Sequence, residues 1–394
     1  MFFQNLQKVL RQNIREYGMY IALFLIIVIF SITTEGIFVS SRNLANLLNQ
    51  TGYIAVLAIG MTLVIVIRHV DLSVGFLAGF LGAVAAIAMI EPWNIPVWLV
   101  IPLVLGLGVI AGLITAFPVA QLGIPSFVAS LAGWLIYRGA LQLVTEGTGT
   151  IIINDEIFNA IGNGYIPDIP DIGIFPEMHR LTLLLGLAAI GMYIYSEITS
   201  RRKQLAYNFE VLPNSIFILK LLFVSGIVAA ISWVLAGYNG LSWTVVIVLV
   251  VLAIYHFITN QTVLGRHIYA VGGNPEAAQL SGINVKRITY VVFGSMGMLS
   301  ALSGILFASR LQSATTTAGT LFELDAIAAA YVGGVSAAGG VGKVVGSIVG
   351  ALVMTSLISG MNLMGVGIAY QYIVRGAVLA AAVIFDVSTR RTAR

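Results

Sequence analysis

Two short polar segments interrupt the long hydrophobic runs of this sequence. The first contains Asp71 and Ser73, and the second contains Glu323 and Asp325. If the surrounding runs cross a membrane, each carboxylate costs about 2.5 to 3.5 kcal/mol at the bilayer centre. It is then retained where it faces a cavity, pairs with another group or caps a helix. Helices broken in this way surround the binding path of membrane carriers. We therefore expect these four residues to line a central path or to fix helix breaks.

A purely structural role explains the first segment equally simply. Asp71 or Ser73 is a good N-cap for the helix predicted after it, because a side-chain oxygen can accept a free backbone N–H at the positive end of the helix dipole. We favour this capping role over direct ligand contact, although a cap at a helix break can also line a path.

A third segment, residues 264–287, predicts a very short helix. Asn274 suits the N-cap, Pro275 the first helical position, Glu276 the helix dipole, and Gly282 a left-handed stop. The pattern gives a helix of about seven residues, from Pro275 to Ser281. So short a helix is marginal alone, so its own bundle or a partner protein has to support it.

The small side chains of this helix would allow close docking into a groove of a partner, whereas a capped surface loop explains the spacing equally well. The candidate docking residues are Gly272, Gly273, Asn274, Pro275, Glu276, Ala277, Ala278, Leu280, Ser281 and Gly282.

The sequence contains no pattern for an enzyme, a metal or a nucleotide. It has no cysteine, and its four histidines have no metal-ligand spacing. Gly342-Lys343 resembles the end of a phosphate-binding loop, but Val344 follows where Ser or Thr is needed. We predict no catalytic residue and no bound metal.

The composition predicts that lipid is the main solvent of this chain. Of its 394 residues, 59% are hydrophobic and 9% are charged, against about 25% charged in soluble domains. The net charge of +4 does not indicate nucleic-acid binding, because the basic residues form no stripe.

Twelve hydrophobic runs are long enough to be read as membrane spans or re-entrant segments. They lie near 19–38, 53–67, 73–90, 97–117, 126–144, 181–197, 216–236, 243–259, 288–309, 322–338, 344–361 and 371–386.

An even number of spans places both termini on one side, which the basic residues mark as the cytoplasm. Residues 264–287 fall on that side. The opposite side receives mainly acids and includes a long loop at 145–179. The glycines at four-residue spacing, such as Gly108 and Gly112, predict close helix packing in lipid rather than a dinucleotide site.

Three of these segments resemble the signatures of one protein family. Residues 272–283, with Tyr269 before them, resemble the cytoplasmic coupling motif of the ribose and xylose type of ABC sugar permeases. Residues 71–75 and 323–329 look like the other two signatures of that family. The resemblance extends from about residue 15 to 388. Ten spans are usual for the ribose members of this family. This sequence has two more, near 181–197 and 216–236, and in that it looks like the xylose and multiple-monosaccharide permeases.

The resemblance implies one all-α permease domain over residues 1–394, in the inner membrane of a bacterium. It implies a homodimer with a second copy, a separate ATPase subunit that binds ATP and Mg²⁺, and an extracytoplasmic sugar-binding protein. The chain itself would bind no cofactor. It would carry a monosaccharide of the xylose, arabinose, galactose or glucose class inward, and residues 272–282 would couple it to the ATPase.

Two other classes of protein compete with this interpretation. An ion-coupled secondary transporter would use Asp71, Glu323 or Asp325 to bind a proton or sodium, but would have no need of a capped cytoplasmic helix. A membrane-bound enzyme would need a nucleophile or metal set that the sequence lacks.

Overall fold

The computed structural model describes residues 14–146, 149–170, 173, 176–209 and 211–391. The two extreme termini, which we predict to be cytoplasmic, lie outside these residues. In chain order the helices are α1 (Ile14–Thr33), α2 (Ser41–Val66), α3 (Val74–Met89), α4 (Val97–Leu122), α5 (Ser126–Thr145), α6 (Glu156–Asn163), α7 (Arg180–Ala206), α8 (Asn214–Ala236), α9 (Trp243–Gln261), α10 (Val263–Gly273), α11 (Pro275–Leu280), α12 (Val285–Leu311), α13 (Phe322–Val332), α14 (Val344–Leu363) and α15 (Ile368–Arg391). Two short strands, β1 (Thr150–Ile152) and β2 (Ser313–Thr315), pair antiparallel.

Within the described residues, nine helices are long and apolar enough to cross a bilayer: α2, α4, α5, α7, α8, α9, α12, α14 and α15. The all-α membrane fold is thereby confirmed. The other three predicted spans fall on the apolar part of α1, on α3 with 16 residues and on α13 with 11 residues. Because 11 helical residues extend about 16 Å, α13 crosses about half of the hydrocarbon. The count of twelve spans stays a prediction.

Two helices form the centre of the bundle. α2 is buried along most of its length, and α12 packs against α4, α3 and α2. The half-length helix α13 lies between α14 and α2. The broken helices are thus enclosed by continuous ones, as the bilayer requires of irregular backbone.

Glycine brings several of these backbones into contact. A Cβ at Gly108 or Gly112 of α4 would overlap the carbonyl oxygens of Gly297 and Phe293 in α12, and one at Gly350 of α14 would overlap that of Ala329 in α13. The predicted close packing at these glycines is confirmed.

Other helices present apolar side chains to the surroundings. Leu187 of α7, Leu222 of α8 and Ile373 of α15 are each 67% exposed. Such surfaces are expected to contact lipid.

The described part of the loop at 145–179 packs against the end of α12 and the strand β2 that follows it. It contains β1 and the short amphipathic helix α6, whose N-cap Asp155 accepts the N–H of Phe158 at 2.8 Å. The hydroxyl of Ser309, near the end of α12, donates to the Phe158 carbonyl at 2.6 Å and accepts the Gly162 N–H at 2.6 Å. These bonds attach α6 to the core.

The predicted sidedness can be tested with cysteines in this cysteine-free chain. Glu156 and Ser281 are both exposed and lie in the two segments that the charge pattern assigns to opposite sides. We expect Glu156→Cys to react with an impermeant thiol reagent in intact cells, and Ser281→Cys only after the membrane is opened. Labelling of both in intact cells would contradict the assignment.

Candidate functional site

The two polar segments that interrupt the hydrophobic runs meet inside the bundle. α3 and α13 begin beside each other, because a Cβ on Gly75 would overlap the Glu323 carboxylate and the carbonyl oxygen of Gly319. Ser73 faces α5, where a Cβ on Gly133 would lie 3.0 Å from the Ser73 Cβ. The structure therefore brings Ser73 and Glu323 into one region, at the positive ends of two interrupted helices.

Glu323 is held there by a tryptophan of α5. Its Oε1 accepts the indole N–H of Trp134 at 3.1 Å, and the residue is only 4% exposed. Among the described residues, none donates a hydrogen bond to Glu323 Oε2. The carboxyl group thus has one partner and one unused oxygen.

Asp325, two residues further along α13, has a hydrogen-bond partner for both of its carboxylate oxygens. Both of its oxygens accept from the guanidinium of Arg375 in α15, with 3.0 Å between Arg375 Nε and Asp325 Oδ1. Such a bidentate pair is strong and geometrically specific. It links the half-length helix α13 to α15.

Asp71 organises the turn before α3. Its Oδ1 accepts the backbone N–H of Ser73 at 2.9 Å and the Ser73 hydroxyl at 2.6 Å. Ser73 is the N-cap residue but makes no capping bond with its side chain. The prediction that a side-chain oxygen of Asp71 or Ser73 caps the first turn of α3 is therefore wrong in detail. The Asp71 carboxylate accepts the N–H and O–H of Ser73, just before the helix, rather than an N–H of the first helical turn.

The first helix break lies before α3 and the second before α13. Each is preceded by a bulky residue in the left-handed backbone region. The φ angle is 67° at Arg68 and 65° at Leu321. This conformation costs roughly 1 to 3 kcal/mol for a residue other than glycine and is typical of functional sites. Aromatic packing holds the second break, because the ring of Phe322 lies 4.8 Å from Tyr53 of α2 and 4.9 Å from Phe307 of α12.

The short helix predicted after Asn274 is present as α11. The Asn274 side chain accepts the N–H groups of Glu276 and Ala277 at 3.0 and 3.1 Å. The helix ends at Leu280, one residue earlier than predicted, and Gly282 provides the left-handed stop with φ of 85°.

The exposed face of α11 differs from the docking face that the sequence predicts. Ala278 is 5% exposed and packs into the core of its own chain, so it is not available to a partner. Leu280 is 90% exposed, and Glu276, Ala277, Gln279 and Ser281 are also exposed. Ala278 is therefore the internal support of the helix, and Leu280 is its outward apolar side chain.

Arg68 connects this segment to the first break. Its guanidinium donates to the carbonyl oxygens of Gly272, at 2.7 Å, and Gly273, at the end of α10. Three residues further along the chain, Asp71 shapes the start of α3.

The loop after α13 connects the same segment to the end of α13. The N–H of Gly340 donates to the Val66 carbonyl at 2.8 Å, and the Tyr269 hydroxyl of α10 donates to the Gly342 carbonyl at 2.6 Å. A Cβ on Gly272 would overlap both Val66 O and Gly340 N. α10, the end of α2 and residues 339–342 therefore form one tightly packed junction.

Comparison with known proteins identifies the family. The model of a family described as "Branched-chain amino acid transport system / permease component" matches residues 43–166 and 173–383. The chain belongs to this permease family.

Among named relatives, the xylose transport system permease protein XylH of Haemophilus influenzae is 39% identical over 379 residues, which cover 96% of this chain and 98% of the relative. XylH of Escherichia coli is 37% identical over 96% of this chain and 93% of its own. The ribose import permease protein RbsC of H. influenzae is 35% identical over 94% and 93%. No solved structure matches the chain. The permease is thus a multi-pass membrane transport subunit rather than an enzyme.

Several residues of the site could not be found by reading the sequence. Trp134 and Arg375 lie in hydrophobic runs far from the acids that they contact. A tryptophan in a span is ordinary, and nothing in the spacing pairs it with Glu323. The one available signal was Arg375 itself, a charge within a predicted span that needs a partner at that depth.

The Asp325–Arg375 pair generates a stability prediction. Asp325→Asn leaves the Arg375 guanidinium uncompensated, and breaking a buried pair costs about 3 to 5 kcal/mol. We expect a large fall in the thermal unfolding temperature of the purified permease. The double variant Asp325→Asn with Arg375→Gln is the control and should recover much of the loss. Equal losses in the single and double variants would show that the pairing contributes little.

Proposed function

We propose that this permease is the membrane subunit of an ABC importer that carries a monosaccharide inward, driven by a separate ATPase subunit that docks on α11. The observation that carries the proposal is Leu280. It is 90% exposed on a capped two-turn helix that lies outside the hydrophobic spans. A leucine side chain gains about 1.5 to 3 kcal/mol when it leaves water, so a partner pocket would stabilise it.

The junction beneath α11 supports the same role. Arg68 connects the segment to the turn before α3, and residues 339–342 connect it to the end of α13, through hydrogen bonds and close backbone contacts. Movement of α11 by a partner would therefore reach the start of α3 and the end of α13 together. The coupling residues are those of the segment Gly272–Gly282, with Ala278 acting as internal support.

The path that we propose passes the region where Ser73 and Glu323 approach each other, with Asp71 and Asp325 fixing the ends of the broken helices. The cargo is a monosaccharide of the xylose, arabinose, galactose or glucose class, delivered by an extracytoplasmic sugar-binding protein to a homodimer in the inner membrane, with both termini in the cytoplasm. The names of the relatives, xylose and ribose permeases, support this class.

The ion-coupled alternative is less well supported by the contacts. Asp325 is paired with Arg375, and Asp71 accepts two bonds from Ser73. An ion-binding carboxylate would instead need open coordination. Glu323, with its one unused oxygen, is the remaining candidate for that mechanism.

If the ATPase subunit docks on Leu280, a single charge at that position should weaken the complex. Leu280→Asp should weaken association with the ATPase subunit by about 10- to 100-fold, because the apolar contact is lost. Affinity can be measured by titrating the ATPase subunit against the permease in nanodiscs. Gln279→Asp is the matched control, since it adds the same charge at the adjacent exposed position.

The outcome for transport separates the two mechanisms. With ATPase and sugar-binding protein present, Leu280→Asp should lose ATP-dependent uptake of radiolabelled sugar while the permease stays folded. Uptake by the permease alone that a protonophore abolishes would instead favour ion coupling.

A further inference from the structure

Arg138 is a charged residue on the exposed surface of a membrane span. It lies in α5, a helix of 20 residues that is exposed along most of its length. Such a helix extends about 30 Å, the thickness of the hydrocarbon, and Arg138 lies seven residues, about 10 Å, from the end at Thr145. A guanidinium at this depth cannot simply face lipid tails.

The side chain does not reach back to the near membrane surface. Its guanidinium carbon lies 5.2 Å from the ring centre of Trp134, one turn earlier in the helix, and 5.6 Å from that of Phe76 in α3. Side chains in a helix point toward its N-terminus, and here that direction leads away from Thr145. Arg138 is therefore not snorkelling, and its charge is held at depth by aromatic faces.

The other charges within the spans have polar partners. Asp325 pairs with Arg375, and Lys220 of α8 pairs with Glu197 of α7 at 2.8 Å. Within the described parts of the chain, no carboxylate lies within ion-pair distance of Arg138. Water or a polar cargo is then the environment that this guanidinium requires.

The neighbours of Arg138 on α5 extend the same face. Gln142 is one turn later and exposed, and Leu135 is one turn earlier and 65% exposed. Trp134 joins this face to the candidate site, because its indole donates to Glu323 while its ring contacts Arg138. Groups of both signs thus flank one tryptophan, an arrangement that suits a neutral molecule with many hydroxyl groups better than an anion.

We propose that Arg138 lies in the wall of a water-filled translocation path and donates hydrogen bonds to the hydroxyl oxygens of the sugar as it passes. This inference rests on the proposed function for the identity of the cargo. The position of the path along the Arg138 face of α5 rests on the exposure and depth of the charge alone.

Thiol accessibility tests the position of the path. Leu135→Cys and Gln142→Cys are placed one at a time in the cysteine-free permease in nanodiscs, where a charged thiosulfonate reagent reaches both sides. Ile136→Cys is the matched control, because Ile136 is 65% exposed at the same depth but lies about 200° around the helix from Arg138. We expect the first two to react at least about tenfold faster than the control, because a thiol in hydrocarbon does not ionise. Equally slow reaction at all three positions would overturn the proposal.

Transport by Arg138 variants tests the contact with the sugar. In the complex with ATPase and sugar-binding protein, Arg138→Leu should lower uptake of radiolabelled xylose by about tenfold or more, the effect of losing a charge-assisted hydrogen bond. Arg138→Lys should retain most of the uptake. Affinity for the ATPase subunit and the thermal unfolding temperature should stay at parental values, because α11 and the core are unchanged.

The two proposals fail in different ways. If Arg138→Leu transports xylose like the parent, the sugar contact is wrong while the proposed importer stands. If the cysteines on the Arg138 face react rapidly but the complex takes up no monosaccharide, the proposed cargo is wrong while the path assignment stands.

Discussion

Interrupted helices inside a bilayer are the constraint on which this structure depends. α3 and α13 begin at membrane depth, where lipid cannot satisfy free backbone groups or carboxylates. They are tolerated because α2, α12 and α14 surround them and because the acids have partners inside the protein. Glycine at position 75 makes this meeting possible, since any Cβ there would overlap Glu323.

The second feature is the junction beside the short helix α11, where α10, the end of α2 and residues 339–342 meet. Arg68 binds the end of α10 through its side chain, and its own backbone leads directly into the Asp71 turn. Residues 339–342 contact the same helix end and follow α13. The turn before α3 and the loop after α13 therefore both contact the end of α10, next to α11. In the proposed importer, movement of α11 would reach the centre of the permease through this junction.

Exposure has different physical meanings at different places on this surface. Leu222 on α8 is exposed among other apolar groups within a span, where lipid is expected to cover it. Leu280 is exposed on a polar segment, where only a partner could cover it. Arg138 is exposed within a span, and its charge is not compatible with lipid as the surrounding medium. The chemistry of each neighbourhood, rather than the exposed area, indicates what occupies it.

Composition, hydrophobic run length and cap residues determined the membrane class, the approximate helix positions, and the start of α11 with its end to within one residue, because these depend on local preference and solvent. They also located the acids near 71 and 323 as breaks. Only the tertiary structure paired Glu323 with Trp134 and Asp325 with Arg375, turned Ala278 inward and Leu280 outward, and attached Arg68 to the end of α10. Those contacts join residues up to about 200 positions apart. These contacts cannot be predicted from local sequence, because they arise from the order in which the helices pack around the two breaks.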